Sequence, residues 1–286
     1  MKPTPREWGP SGGGGIPEEM LAFLKAHLGD QRPAGAVVLG SGLGPLLDHW
    51  NPEPIVDTAQ IPGYPRSGVP GHAGKVAVAS WGGTCGLVFQ GRVHFYEGYS
   101  RPQVTLAVRL AAALGARWVL LTNASGSVDP LVAPGTIVVV DDHFRLFIGG
   151  RASRGAAPGT RLTGSPYHPG RSEEAFAMLG REGLRVQRGI LFGGLGPSYE
   201  TAAEVEMIRR AGATVACMST VIEAEEAARA GLEVVGISMV TNLATGLAQG
   251  RLDHEEVIAA ARQIAPAFAR AIDRLVRGWA GDQRPG

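Results

Sequence analysis

An α/β sandwich, with helices on both faces of a largely parallel or mixed sheet, is the fold class this sequence predicts. Three observations carry it. Short apolar runs ending in glycine or polar residues recur along the chain as buried strands do, stretches of helical periodicity lie between them, and 286 residues suffice for one large sheet. Such alternation gathers ligand groups at the carboxyl ends of strands.

The first fifteen residues, MKPTPREWGPSGGGG, are rich in Gly and Pro and read as a flexible tail, so the domain occupies 16–286. It opens on an amphipathic helix, PEEMLAFLKAHL. Strands are then expected at AVVLG (36–40), KVAVASW (75–81), CGLVFQG (85–91), RWVLLTNA (117–124), TIVVVDDHF (136–144), RGILFGG (188–194) and LEVVGISMV (232–240). Helical patterns fall at RPQVTLAVRLAAALGA, TAAEVEMIRRAGA, TVIEAEEAARAG and the long HEEVIAAARQIAPAFARAIDRLVRGW. Residues 148–170, IGGRASRGAAPGTRLTGSPYHPG, have no period and predict a long loop, of a kind that tends to be functional or mobile.

Charge is nearly balanced at a formal net +1, which argues against a nucleic-acid partner and for a small one. Cys85 and Cys217 lie far apart with no C-x-x-C spacing, which argues against a disulfide framework and a structural zinc site. No apolar run approaches the roughly 18 residues of a membrane span, and the N-terminus lacks the apolar stretch of a secretory signal. The expectation is a soluble, cytoplasmic protein without a membrane partner.

Several stretches concentrate polar chemistry. In LGSGLGPLLDHW a strand runs into a glycine turn bearing Ser41 and then a short helix, whose N–H groups suit an anion; neither the Walker nor the Rossmann spacing is met. In STVIEAEE, Thr220 and Glu223 have capping-box spacing, which sets Ser219 at a helix mouth as a second anion seat or an ordinary capping serine. YETAAE repeats the device with Thr201 and Glu204; Glu200 beside it accepts from a ligand N–H edge or complements the helix dipole. In DHEE, Asp253 caps and His254 takes the first turn.

QGRVHFYEGY delivers Arg92 and His94 on one face of an extended segment, with Val93 and Phe95 on the other. A planar guanidinium and an imidazole suit an oxyanion, and Glu97 is the local alternative partner for Arg92. Asn242, at the end of VTNLATG, offers an amide that both donates and accepts, as a nucleobase edge requires; a turn-satisfying asparagine competes.

Together GSGLG, VPGHAG, QGRVHFYEGY, LLTNASGSV, GPSYETAAE, CMST, VTNLATG and DHEEV, in this order across roughly 35–275, closely resemble the trimeric purine nucleoside phosphorylase family, which includes methylthioadenosine phosphorylase. The resemblance implies a sandwich with a mixed, partly barrel-like sheet, a homotrimer, and reversible phosphorolysis of purine nucleosides for salvage. It implies no metal or organic cofactor, inorganic phosphate being a co-substrate. Position by position, Ser41, His72, Arg92, His94, Ala124 through its backbone, and Ser219 match the phosphate residues. Tyr96, Met218 and His254 match the ribose residues, Tyr199 an aromatic on base and sugar, and Glu200 and Asn242 the purine binders. Asn242 and His94 are the expected catalytic residues, with Glu97 orienting His94 from behind.

Glu200 as carboxylate accepts from N1–H of a 6-oxopurine and meets a lone pair in adenine; this and Asn242 favour inosine and guanosine. Relatives carry a phenylalanine from the neighbouring subunit over the ribose, whereas 151–170 contains none; Tyr167 and His168 are the candidates to replace it. Ser127 stands where relatives have a second glycine. The competing readings are a methylthioadenosine phosphorylase, a hydrolase using Glu97 and Glu200 as paired carboxylates, and a non-catalytic nucleoside-binding protein.

Overall fold

The computed structural model describes residues 15–69, 72–145, 164–247 and 254–281, the side chains of 254–263 excepted. The expected tail thus lies almost wholly outside the described residues, as do 146–163 and Asp253. The strands are β1 (Gly35–Leu39), β2 (Ile55–Asp57), β3 (Lys75–Trp81), β4 (Thr84–Gln90), β5 (Trp118–Ser127), β6 (Ile137–Phe144), β7 (Val186–Gly193), β8 (Val215–Cys217) and β9 (Glu233–Leu243). The helices are α1 (Glu18–Leu28), α2 (Leu46–His49), α3 (Arg101–Val104), α4 (Leu106–Ala113), α5 (Pro169–Arg181), α6 (Ala202–Arg210), α7 (Val221–Arg229) and α8 (His254–Gly281).

Burial of β1 shows why the chain layers as it does. Alternate residues point to opposite faces: Ala36 and Val38 enter a core shared with α1, α4 and α7, and Val37 and Leu39 enter another shared with α2, α5 and α8. A strand buried on both sides needs apolar residues throughout, which is why its sequence reads as a continuous run.

The sheet is mixed, in the order β2-β3-β4-β1-β5-β8-β7-β6-β9. β9 also pairs with β5, so β5, β8, β7, β6 and β9 close a ring while β1 to β4 form an open wing. The expected sandwich with a partly barrel-like sheet is the observed architecture. In the β5–β9 pairing Ser125 faces Val240 but Gly126 faces Asn242, which leaves Thr241 as an extra residue. This bulge sits where both strands reach the ligand cleft described below.

Three local differences have physical reasons. The stretch expected as one helix from Arg101 breaks at Thr105, whose hydroxyl donates to Arg101 O at 2.9 Å and so competes with the helical ladder. The expected loop ends earlier than 170, because His168 Nδ1 accepts from Arg171 N at 3.2 Å and caps α5, with a proline in its first turn. β2 and β8 are three residues each, too short for a periodic signal.

Candidate active site

β1, β4 and β5 lie side by side and parallel, so the turns after β1 and β4 open at one edge beside the distal half of β5. The ends of β7, β8 and β9 come to the same edge, and between them lies a cleft of about 260 Å³. All six residues expected at phosphate line it: Ser41, His72, Arg92, His94, Ala124 and Ser219. So do Glu200, Asn242 and Tyr199 from the expected purine set, and Tyr96 and Met218 from the ribose set. The His254 side chain lies outside the described residues, at the first residue of α8.

The glycine turn after β1 departs from expectation. α2 is four residues long and begins at Leu46, five positions past Ser41. Leu43 N donates to Gly40 O at 3.1 Å and Leu46 N to Leu43 O at 3.0 Å, so successive tight turns consume N–H groups expected for an anion. The turn contributes the Ser41 hydroxyl, 3.3 Å from His72 Nε2.

The arginine strand end differs too. β4 stops at Gln90, and Gly91, at φ +100°, turns the chain out of extended geometry. Arg92 and His94 still converge on the cleft, but Val93 and Arg92 are both buried. Arg92 does not pair with Glu97: its Nη1 donates to Glu223 Oε2 at 2.8 Å, with the two side chains 2% and 1% exposed. Nη2 donates to Thr122 O at 2.6 Å and Val38 O at 3.3 Å. Glu223 therefore does not close the expected capping box, and Thr220 caps α7 without a side-chain bond. A buried guanidinium needs a buried counter-charge more than a helix end needs a carboxylate. Burial pushes the Glu223 pKa up, and Arg92 opposes that shift.

Two imidazoles stand 5.2 Å apart, centroid to centroid. His72 Nδ1 accepts from Arg92 N at 3.3 Å, which leaves the proton of the neutral ring on Nε2. His94 Nδ1 lies 3.2 Å from Glu97 Oε1, so Nδ1 is the donor and Nε2 carries the lone pair. Burial first, and Arg92 second, lower the His94 pKa against the opposing pull of Glu97. Glu97 also accepts from His94 N and from Gly68 N, both at 2.8 Å. It is not among the residues lining the cleft, so it does not face Glu200 there as the paired-carboxylate reading expects.

At the other end, Thr201 and Glu204 form the expected capping box, with Thr201 N donating to Glu204 Oε2 at 2.7 Å, and Glu200 precedes it on the cleft wall. Burial raises the Glu200 pKa, its own backbone N–H pulls it down, and Glu204 adds to the rise. Asn242 Nδ2 donates to Leu243 O at 3.0 Å and Oδ1 accepts from Thr241 at 2.9 Å, which leaves a second amide N–H for a ligand. A Cβ on Gly126 would lie 3.2 Å from that Nδ2, so a bare backbone makes room for the amide. Tyr96 stacks on His94 at 4.8 Å, and burial pushes its phenol pKa up to about 12, which keeps it a donor.

Tyr167 and His168 are not available as lids. Tyr167 is 5% exposed, bridges to Val234 and meets His143 Nδ1 at 3.2 Å; His168 caps α5 and pairs with Glu233. Sequence reasoning missed Glu223 as the arginine's partner, and Asn123 and Thr241 as polar groups at the cleft. An arginine in an apolar setting signals a hidden carboxylate, but the partner lies 131 residues away.

Gly91→Ala is expected to lower stability by roughly 1–3 kcal/mol, because L residues resist this φ, and to displace His72, whose Cα would lie 2.9 Å from the new methyl. Denaturant midpoints check the first, and the position of His72 in a crystal structure of the variant checks the second.

The fold and cleft define an α/β enzyme with a cluster of arginine, histidine and serine side chains at one end of its site and a carboxylate–amide pair at the other. A family model described as the phosphorylase superfamily matches residues 36–277. Purine nucleoside phosphorylase 1 of Geobacillus stearothermophilus is 37% identical over 268 residues, covering 92% of this chain and 97% of that protein. The purine nucleoside phosphorylase of Bos taurus is 35% identical over 272 residues, covering 91% and 93%. The Schistosoma mansoni purine nucleoside phosphorylase in complex with inosine superposes with a TM-score of 0.80 at 26% identity, covering 94% of this chain and 96% of that one. Its adenosine complex gives 0.82 at 28%, covering 94% and 97%. The chain belongs to the purine nucleoside phosphorylase family within that superfamily.

Proposed function

We propose that this chain catalyses reversible phosphorolysis of inosine, guanosine and their 2'-deoxy forms, giving free base and (deoxy)ribose 1-phosphate in purine salvage. The observation that carries the reading is one cleft with Arg92, His72, Ser41 and Ser219 at one end and Glu200 with Asn242 at the other. Solved relatives titled as complexes with inosine, hypoxanthine and adenosine support a purine nucleoside substrate, and the 6-oxopurine preference rests on Glu200 and Asn242. The reading extends to a cytoplasmic homotrimer that needs neither metal nor organic cofactor.

In this mechanism a phosphate oxygen attacks the anomeric carbon while the bond to the base nitrogen breaks, and the bonding electrons leave with the base. Positive charge grows on the sugar, and the phosphate beneath it supplies both nucleophile and counter-charge. Negative charge grows on the departing purine, where the Asn242 amide N–H stabilises N7 or O6 as an oxyanion hole does. Glu200 accepts from N1–H and, in guanine, the 2-amino group. His94, with Nδ1 fixed by Glu97, presents Nε2 as an acceptor toward a phosphate that still carries a proton.

An ultraviolet assay of inosine cleavage with and without inorganic phosphate tests the reading. Cleavage that requires phosphate is the expected result; phosphate-independent cleavage, or turnover confined to methylthioadenosine, overturns it. Glu200 adds a pH signature. Its raised pKa means that protonation, and loss of the N1–H acceptor, begins above the ordinary 4.5, so inosine kcat/KM falls at correspondingly higher pH. Glu200→Gln is expected to abolish that acid limb. The same shift disfavours the folded state: any stability Glu200 contributes is present below 4.5 and lost as pH rises through the raised value, so Glu200→Gln raises Tm at pH 7.

A further inference from the structure

Thr220 does not line the cleft, and its side chain is fully buried at the mouth of α7. Its hydroxyl is nonetheless heavily engaged: Arg92 Nη1 donates to it at 3.3 Å and Asn123 Nδ2 at 2.9 Å. A hydroxyl has two lone pairs and one proton. With both acceptor positions filled by N–H groups, the Thr220 proton chooses between Ser219 Oγ, 3.2 Å away, and the Cys217 sulfur, and the hydroxyl oxygen is the stronger acceptor. Arg92 Nη1 commits one N–H to Glu223 and shares the other between the two hydroxyls, reaching Ser219 Oγ at 3.3 Å. Ser219 Oγ thus accepts from Arg92 and from Thr220, and its own proton is left to donate. The nearby Cys217 Sγ, at 4.0 Å, is a weak acceptor, and burial keeps that thiol protonated. An oxyanion in the cleft outcompetes it.

We infer that Thr220 is a positioning residue: together with Asn123 and Arg92 it aims the Ser219 proton into the cleft, turning a hydroxyl able to donate or accept into a committed donor for phosphate. The inference rests on the phosphate reading above and adds to it a group that never touches the anion. Val matches Thr in shape but lacks the hydroxyl, whereas Ser keeps it, so the two substitutions separate hydrogen-bond polarity from packing.

The test uses the full chain as Ser219→Ala, Thr220→Val, Thr220→Ser and the Ser219→Ala/Thr220→Val double variant, with KM measured for phosphate and for inosine. Thr220→Val is expected to raise the phosphate KM about tenfold, the scale of one misdirected hydrogen bond, with the inosine KM within about twofold of the parent. Thr220→Ser restores the parent value, and Thr220→Val adds nothing in the Ser219→Ala background. An unchanged phosphate KM in Thr220→Val, with Ser219→Ala impaired, means the chain runs with the opposite polarity and overturns the positioning role alone. Equal effects of Thr220→Val in both backgrounds also overturn it. A normal phosphate KM in Ser219→Ala instead removes Ser219 from the anion seat, and the inference falls with that part of the functional reading.

Discussion

Asn242→Ala slows inosine phosphorolysis by about 100- to 1,000-fold, the usual cost of removing one preorganised donor from a site of developing charge. The fold survives the change. Among the described residues Asn242 makes short-range bonds alone, to Thr241 and Leu243, so truncation costs roughly 0.5–1.5 kcal/mol of stability. Single-turnover rates of hypoxanthine release, set beside a thermal melt, separate the two effects. Near-normal turnover in this variant removes Asn242 from the catalytic role.

Arg92→Met has the largest effect on stability. It strands Glu223, 1% exposed, without its counter-charge, and breaking such a pair costs about 3–5 kcal/mol. It also removes the donor shared by Ser219 and Thr220 and the bonds to Val38 O and Thr122 O, so β1, β5 and α7 lose a common tie. Adding Glu223→Leu to Arg92→Met removes the stranded charge, and the double variant is expected to recover most of the stability. Phosphate use does not return with it. Denaturant midpoints and the phosphate KM of both variants check this, and a double variant with a normal phosphate KM contradicts an anion role for Arg92.

The long strands were legible in the sequence because burial on both faces forces apolar runs, and seven of them stand within a few residues of expectation, from β1 to β9. Closure of the ring was not legible from residue patterns, since β5 also pairs with β9, more than a hundred residues away. It came from family resemblance. At the site, the identities of Arg92, His94, Glu200 and Asn242 were readable from their chemistry, and their convergence is a property of the sheet. Partner choice was readable only where it was local: Thr201 with Glu204 holds, while Thr220 with Glu223 yields to Arg92. Local spacing predicts a cap correctly on an exposed helix end and fails where a buried charge bids for the same carboxylate.

β5 belongs to both the ring and the wing, and its bare stretch acts as a ruler. Ala124 lines the cleft and Gly126 lies against the Asn242 amide, two residues apart, roughly 7 Å at strand rise. On the proposed reading, covalent backbone geometry spaces the nucleophile from the leaving heterocycle. On that reading, inserting or deleting a residue in β5 changes the distance between the two ends of the cleft, whereas point substitutions change the groups that line it.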